Sequence, residues 1–157
     1  MPTPKSSAAC NKVSAGSVSS IVGNTLPLYA PYSSSTVNVA GGVFEVTVIC
    51  DYGLGQILND VAVQHESNSK PSPFVGQSRQ SFKRAFPHAK FTFVSYSGFG
   101  PDVTGTYVTV VDGGDVWQSI DGYEGGLISF GASVHSKSSS RFPKSKLVEL
   151  AKLAQRL

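Results

Sequence analysis

The stretch TGTYVTVVDGGD, residues 104–115, decides the fold class of this chain. Its first eight residues are rich in Val, Thr and Tyr, and they alternate in the way that a half-buried β-strand requires. Asp-Gly-Gly-Asp follows directly, and aspartate beside glycine is the composition of a tight turn. The stretch therefore predicts a β-strand over residues 104–111 that ends at a turn.

Period-two alternation recurs along the chain, which predicts several more strands. In residues 43–50, for example, Val46 and Val48 lie on one face of the strand and Glu45 on the other. The further strands predicted in this way are residues 26–30, 36–39, 43–50, 56–64, 90–96 and 127–134. Short spacings between alternating segments favour an all-β, mainly antiparallel fold, a sandwich or a barrel, over an α/β fold.

Two short helices interrupt this β pattern. Residues 74–86 carry apolar side chains at helical spacing, and Pro87 ends the segment. A basic amphipathic helix begins near Pro143. Its apolar stripe is formed by Leu147, Leu150, Ala151, Ala154 and Leu157. The stripe needs a covering surface, which is either the rest of the same domain or a partner.

Composition divides the chain into three segments. Residues 1–35 are dominated by Ser, Pro, Ala and Gly, and such a segment buries too little apolar surface to offset its ordering entropy. We therefore expect an N-terminal arm over residues 1–35 that is flexible or becomes ordered on a partner, and a β domain over residues 36–136. Residues 137–157 are predicted to form a basic C-terminal tail that contains the helix.

Length and composition restrict the class of protein. The chain has 157 residues, 40% hydrophobic and 15% charged, with a formal net charge of +3. These values suit one compact domain and argue against a disordered protein or a long coiled coil. We expect no membrane span and no secretory signal, because long apolar runs are missing. Cys10 and Cys50 are too few for a disulfide scaffold, and we expect them to be buried free thiols.

Basic residues gather in two stretches that could contact phosphate. The first stretch contains Arg79, Lys83, Arg84 and Lys90, and the second contains Lys137, Arg141, Lys144, Lys146, Lys152 and Arg156. Because exposed aromatic residues are not interleaved with these charges, the pattern favours sequence-independent binding of RNA phosphates. A solvated surface of uneven charge explains the same clusters equally well.

Catalytic chemistry has little support in the sequence. Nucleophile elbows, Walker loops and HExxH or CxxC motifs are absent, and His65, His88 and His135 are widely spaced. We therefore expect a protein that is not an enzyme. Asp112 and Asp115 place two carboxylates on a glycine turn, where they could supply part of a calcium site or simply stabilise the turn.

Residues 81–115, SFKRAFPHAKFTFVSYSGFGPDVTGTYVTVVDGGD, resemble the coat-protein shell domain of small icosahedral plant RNA viruses of the tombusvirus and sobemovirus type. The shared features are a short helix, a Phe-Pro step at Phe86, a strand, a turn containing Pro101, and a second strand that ends at an Asp-rich turn. Residues 42–50 are similar to the first strand of that family. The resemblance implies an eight-stranded jelly-roll β-sandwich. It also implies calcium at subunit interfaces, held through Asp112 and Asp115.

Taken with the charge pattern, the resemblance predicts a viral capsid protein. Such a protein self-assembles into an icosahedral shell and packages single-stranded RNA, so its partners are further copies of itself and RNA. Its location is the virion, and the host cytoplasm during assembly. Two other classes remain open: a β-sandwich binding or adhesion module, and a small oligomeric RNA-binding viral accessory protein.

Overall fold

A computed structural model describes residues 8–23, 32–40, 43–52, 58–68, 83–84, 86–125, 127–136 and 141–157. These residues form seven strands: β1 (Tyr32–Ala40), β2 (Val43–Tyr52), β3 (Leu58–Asn68), β4 (Lys90–Tyr96), β5 (Val103–Asp112), β6 (Asp115–Glu124) and β7 (Ile128–Ser136). The helices in the same part of the chain are a 3-10 helix (Ala8–Lys12), α1 (Ala15–Val22) and α2 (Lys144–Ala154). None of these helices has the length and apolar character needed to cross a membrane.

All seven described strands belong to one antiparallel sheet. Their order across the sheet is β1-β2-β3-β7-β6-β5-β4. Two runs of sequential neighbours, β1 to β3 and β4 to β7, are joined where β3 pairs with β7. The predicted all-β, mainly antiparallel fold is therefore confirmed. The two facing sheets of a jelly-roll sandwich are not confirmed, because the described strands form a single sheet.

Most of the predicted strands are present, although several bounds differ. The strand predicted over residues 90–96 coincides with β4, and the one predicted over 104–111 lies within β5. The strands predicted over 36–39, 43–50, 56–64 and 127–134 correspond to β1, β2, β3 and β7, while the one predicted over 26–30 lies outside the described residues. β6 was not predicted, because Gln118 and Asp121 place buried polar residues on both of its faces and so interrupt the apolar alternation. Of the helix predicted over 74–86, the structure describes Lys83 and Arg84, which are helical, and Phe86, which is not.

The helices cover one face of the sheet and form the main core with it. α2 contacts β7, β3 and β6, and it also contacts α1. The apolar stripe of α2 is buried through Leu147, Leu150 and Ala154, each with 0% exposure. It faces buried residues of the strands, among them Cys50, Val61, Val63, Ile120, Phe130 and Val134. The stripe is therefore covered by its own domain, which resolves the alternative left open by the sequence.

The described part of the N-terminal segment is packed, so the prediction of a flexible arm is wrong for residues 8–23. Val13 and Val18 are buried in the core, and the Tyr52 hydroxyl donates a hydrogen bond to the carbonyl oxygen of Val13. Cys10 and Cys50 form a disulfide with their Cα atoms 5.8 Å apart, so the prediction of free thiols is also wrong. The small residues of this segment indicated disorder, but a few valines lie among them, and the side chains of these valines are buried in the core. The disulfide also reduces the conformational entropy of the unfolded segment.

Candidate functional site

A groove lies on the α2 side of the sheet, at its β4 edge. Its volume is about 350 Å³, and it is lined by Lys90, Phe91, Thr92, Thr109, Val111 and Arg141. Lys90 opposes Val111, and Thr92 opposes Thr109, in the β4–β5 register. These pairs form the floor of the groove because directly paired residues share a sheet face. The groove brings Lys90, from the first predicted basic stretch, close to Arg141, from the second.

Lys144 extends this basic surface at the start of α2. Its Nζ atom lies 5.1 Å from the ring centroid of Tyr96 and 5.1 Å from that of Tyr107. A lysine ammonium at this distance is attracted to the negative face of each ring. Lys90, Arg141 and Lys144 form the set that we call the basic rim.

The segment that contains Arg141 and Lys144 is attached to the sheet by hydrogen bonds of Gln118. This side chain is 1% exposed. Its amide nitrogen donates to the Phe142 carbonyl oxygen at 2.8 Å and to the Tyr107 hydroxyl at 2.9 Å. Its amide oxygen accepts from the Phe142 backbone N–H at 2.8 Å. Sequence reasoning missed Gln118, since a polar residue in an unpredicted strand gave no signal for this role.

The other predicted RNA-binding residues are distributed around the molecule. Lys83 and Arg84 are exposed just before Phe86, on a segment that contacts the opposite sheet face. Lys146 donates to the Val22 carbonyl oxygen at 3.4 Å and so connects α2 to α1. Lys152 and Arg156 are exposed further along the C-terminal segment. Arg79 and Lys137 lie outside the described residues.

Asp112 and Asp115 flank the turn of the β5–β6 hairpin, as the turn composition predicts. They are paired residues of the two strands, and Gly113 takes a φ of 60°, which favours glycine. Asp115 Oδ1 lies 3.0 Å from His135 Nε2, while Asp112 is exposed. Among the described residues, no cluster of three or more His, Cys, Asp or Glu side chains could hold a metal ion. The pair could supply part of a calcium shell of 6–8 oxygens, so the calcium site stays a prediction.

A second pocket lies on the opposite face of the sheet, over β6 and β7. Its volume is about 230 Å³. Its lining residues are Gln64, Phe86, Trp117, Gln118, Ser119, Asp121, Ala132 and Ser133. Phe86 packs against Trp117 with ring centroids 5.1 Å apart, and His135 stacks on Trp117 at 4.6 Å. We call this the Asp121 pocket.

Asp121 is the buried ionisable group of this pocket, at 2% exposure. Burial raises the pKa of its carboxyl to about 7, and a hydrogen bond from the Gln64 side chain acts in the opposite direction. Its Oδ2 atom has no hydrogen-bond partner among the described residues. A Cβ atom at position 131 would overlap Asp121 Oδ1, so Gly131 provides the space that the carboxyl group occupies.

No protein-family model, curated protein or solved structure matches this chain. The resemblance to plant-virus coat proteins therefore stays a prediction, supported by the motifs of residues 81–115 and by the similarity of residues 42–50.

Proposed function

We propose that this chain is a viral coat protein that self-assembles into an icosahedral shell and packages single-stranded RNA. The observation that carries the proposal is the groove at the β4 edge, where cations from two distant stretches of the sequence converge. Lysine and arginine neutralise phosphates irrespective of sequence and release counterions as they do so. Such binding suits a protein that must enclose a whole genome.

The geometry of the basic rim favours contacts to phosphate over contacts to bases. Lys144 lies over the faces of Tyr96 and Tyr107, so these faces are already engaged. The tyrosines therefore orient a cation and do not offer open stacking platforms. Bound RNA would be held at this groove through its backbone, without recognition of sequence.

Assembly is supported by the edge that β4 forms in the described part of the sheet. Within the described residues, β4 pairs with β5 alone, and Val94 is 48% exposed. β4 is seven residues long, contains no proline and carries one charge, at Lys90. An edge of this composition is a template for pairing with another chain. Antiparallel pairing of two β4 strands would give a two-fold dimer and bring two basic rims together.

The remaining expectations follow from this proposal. The jelly-roll sandwich stays a prediction of the resemblance, and assembly does not depend on it, since a shell requires complementary subunit edges. The proposed location is the virion, with assembly in the host cytoplasm. The Cys10–Cys50 disulfide supports exposure to an oxidising environment, as in a released particle.

Neutralising the basic rim is expected to reduce the salt dependence of RNA binding. Each cation that contacts single-stranded nucleic acid contributes about 0.7 to the slope of log K against log salt. The variant Lys90→Gln/Arg141→Gln/Lys144→Gln should therefore lower the slope for a homopolymeric RNA by about 2. This slope is measured by fluorescence anisotropy titrations of the RNA at salt concentrations between about 50 and about 300 mM.

The matched control is Lys12→Gln/Lys152→Gln/Arg156→Gln, which removes the same charge from exposed positions outside the groove. This control should change the slope much less than the rim variant. Electron microscopy of the protein with RNA then separates the functions: a coat protein gives closed particles. RNA binding without particles would favour the accessory protein. Equal salt slopes for both variants would refute the groove as the RNA-binding site.

The predicted calcium site is tested by Asp112→Asn/Asp115→Asn. If the turn binds calcium between subunits, the wild-type assembly should loosen when a chelator is added, and the variant should have lost this response. His135→Gln is the control, because it removes the imidazole that contacts Asp115 at 3.0 Å and keeps both carboxylates. A chelator response that is unchanged in the double variant would contradict the site.

A further inference from the structure

The Asp121 pocket combines a polar base with an apolar wall. Phe86 and Trp117 form the wall, and Gln64, Ser119 and Ser133 add polar groups around Asp121. At about 230 Å³ the pocket is smaller than the ~300–1,000 Å³ typical of sites for drug-sized ligands. It therefore suits one planar ring system with hydrogen-bonding groups along an edge.

One oxygen of Asp121 has no hydrogen-bond partner in the part of the chain that the structure describes, and this indicates what such a ring must provide. A buried acceptor without a partner costs about 1–3 kcal/mol, and a ligand with an N–H donor recovers that cost. Asp121 lines this pocket, and its Oδ2 atom is buried without a partner among the described residues. Because the residue is only 2% exposed, water would compete little for a hydrogen bond from a ligand donor that reaches this oxygen. Gly131 leaves room for the carboxyl group, since any larger residue there would displace it.

The surroundings of the pocket favour a nucleotide over a neutral sugar. Lys83 and Arg84 are exposed three and two residues, respectively, before Phe86, which itself contacts Trp117. Cations at the rim of a pocket suit a ligand whose ring is attached to a phosphate backbone. Proteins that recognise RNA sequence take unstacked bases into such sites and bind them along their Watson–Crick edges.

We propose that the Asp121 pocket binds one guanine base of RNA, with the ionised carboxylate of Asp121 accepting hydrogen bonds from its Watson–Crick edge. Guanine fits best because, of the four bases, it alone presents two adjacent N–H donors on that edge. The wall of Phe86 and Trp117 contacts the ring, and Lys83 and Arg84 meet the neighbouring phosphates. This inference rests on the proposed RNA-binding function, and it adds base recognition to the sequence-independent contacts of the basic rim.

The chain contains a single tryptophan, Trp117, so its fluorescence reports directly on this pocket. Guanosine monophosphate should quench Trp117 saturably and with an affinity at least about tenfold higher than the adenosine, cytidine or uridine monophosphates. The phosphate is common to all four ligands, so the difference measures recognition of the base. Asp121→Asn should abolish the preference, while Asp102→Asn, the same change at an exposed turn, should keep it.

Two further variants keep the test decisive. Ser133→Leu fills the pocket without altering the carboxyl group and should abolish quenching, while circular dichroism confirms that the variant is folded. The basic-rim variant should lose affinity for RNA and still prefer guanosine monophosphate. Equal quenching by all four nucleotides, or Asp121-dependent quenching by glucose or mannose, would overturn the guanine site. RNA packaging without any guanosine preference would refute this inference alone and leave the proposed function standing.

Discussion

Gln118 and Asp121 are both buried in β6, and they illustrate two uses of a polar side chain in a core. The amide of Gln118 makes three hydrogen bonds, to Phe142 and Tyr107, and so attaches the start of α2 to the sheet. The carboxyl of Asp121 leaves one oxygen without a partner among the described residues. A satisfied group stabilises the fold, whereas an unsatisfied group is a candidate for ligand binding.

Asp121 is expected to make stability depend on pH. Because burial raises its pKa from the usual 3.8 to about 7, the folded state holds the proton more tightly than the unfolded state. This stabilisation is complete below pH 3.8 and is lost as the pH rises to about 7. A pKa difference of this size corresponds to at most about 4 kcal/mol in the free energy of unfolding.

The measurement is urea unfolding of the wild type and of Asp121→Asn at pH 4.5 and 7.5. The variant should lose much less stability than the wild type between these two values. The pKa of His65 is lowered by burial and acts in the opposite direction, so the difference between the two proteins is the quantity to compare. Identical pH profiles would show that the Asp121 carboxyl does not titrate in this range.

At the scale of elements, the N-terminal 3-10 helix and α1 behave as part of the core. α1 is capped by Ser14, whose side chain accepts from the Ser17 N–H, and by Gly23 in the left-handed conformation. The Cys10–Cys50 disulfide connects the 3-10 helix to β2 across 40 residues of sequence. Eight residues of helix are marginal alone, so packing and the cross-link must stabilise this segment.

Removing the disulfide is expected to destabilise the fold. Cys10→Ala/Cys50→Ala should lower the free energy of unfolding by about 2–5 kcal/mol, since the unfolded chain regains the freedom of a long loop. Urea unfolding followed by circular dichroism measures the change. Wild-type protein unfolded with a reductant should match the variant, and a variant as stable as the oxidised protein would contradict the prediction.

At the scale of the whole molecule, the two sides of the sheet differ. Helices cover β3, β7 and β6 on one side, and beyond them the groove opens towards the β4 edge. The Asp121 pocket lies on the other side, over β6 and β7. We thus propose phosphate contacts on one face, base recognition on the other, and subunit pairing at the edge.

A charge at the β4 edge is expected to block assembly and leave the monomer folded. Val94→Lys places a lysine where Val94 is 48% exposed, and edge lysines oppose pairing between strands. Leu127→Lys is the matched control, at a residue that is 40% exposed and lies outside β4. Analytical ultracentrifugation should show that Val94→Lys reduces the assembled fraction at least tenfold more than the control does. Equal reductions in the two variants would mean that β4 does not form the contact between subunits.

Local pattern determined much of this protein from the sequence alone. The alternation of Phe91, Thr92 and Phe93 predicted β4 with its observed bounds, and the apolar stripe of α2 predicted four of the five residues that are buried in that helix. The turn at Gly113 followed from its composition. These features were predictable because each depends on residues close together in the chain, through periodicity and turn chemistry.

Tertiary structure alone decided the pairings and the sites. Alternation shows that a segment is a strand but not which strand it pairs with, so the junction of β3 with β7 could not be derived. β6 was missed because its burial comes from the sheet and helices around it. The groove between Lys90 and Arg141 and the position of Asp121 over Gly131 likewise join distant residues. Such contacts depend on the packing of the whole chain, and local periodicity carries no information about that packing.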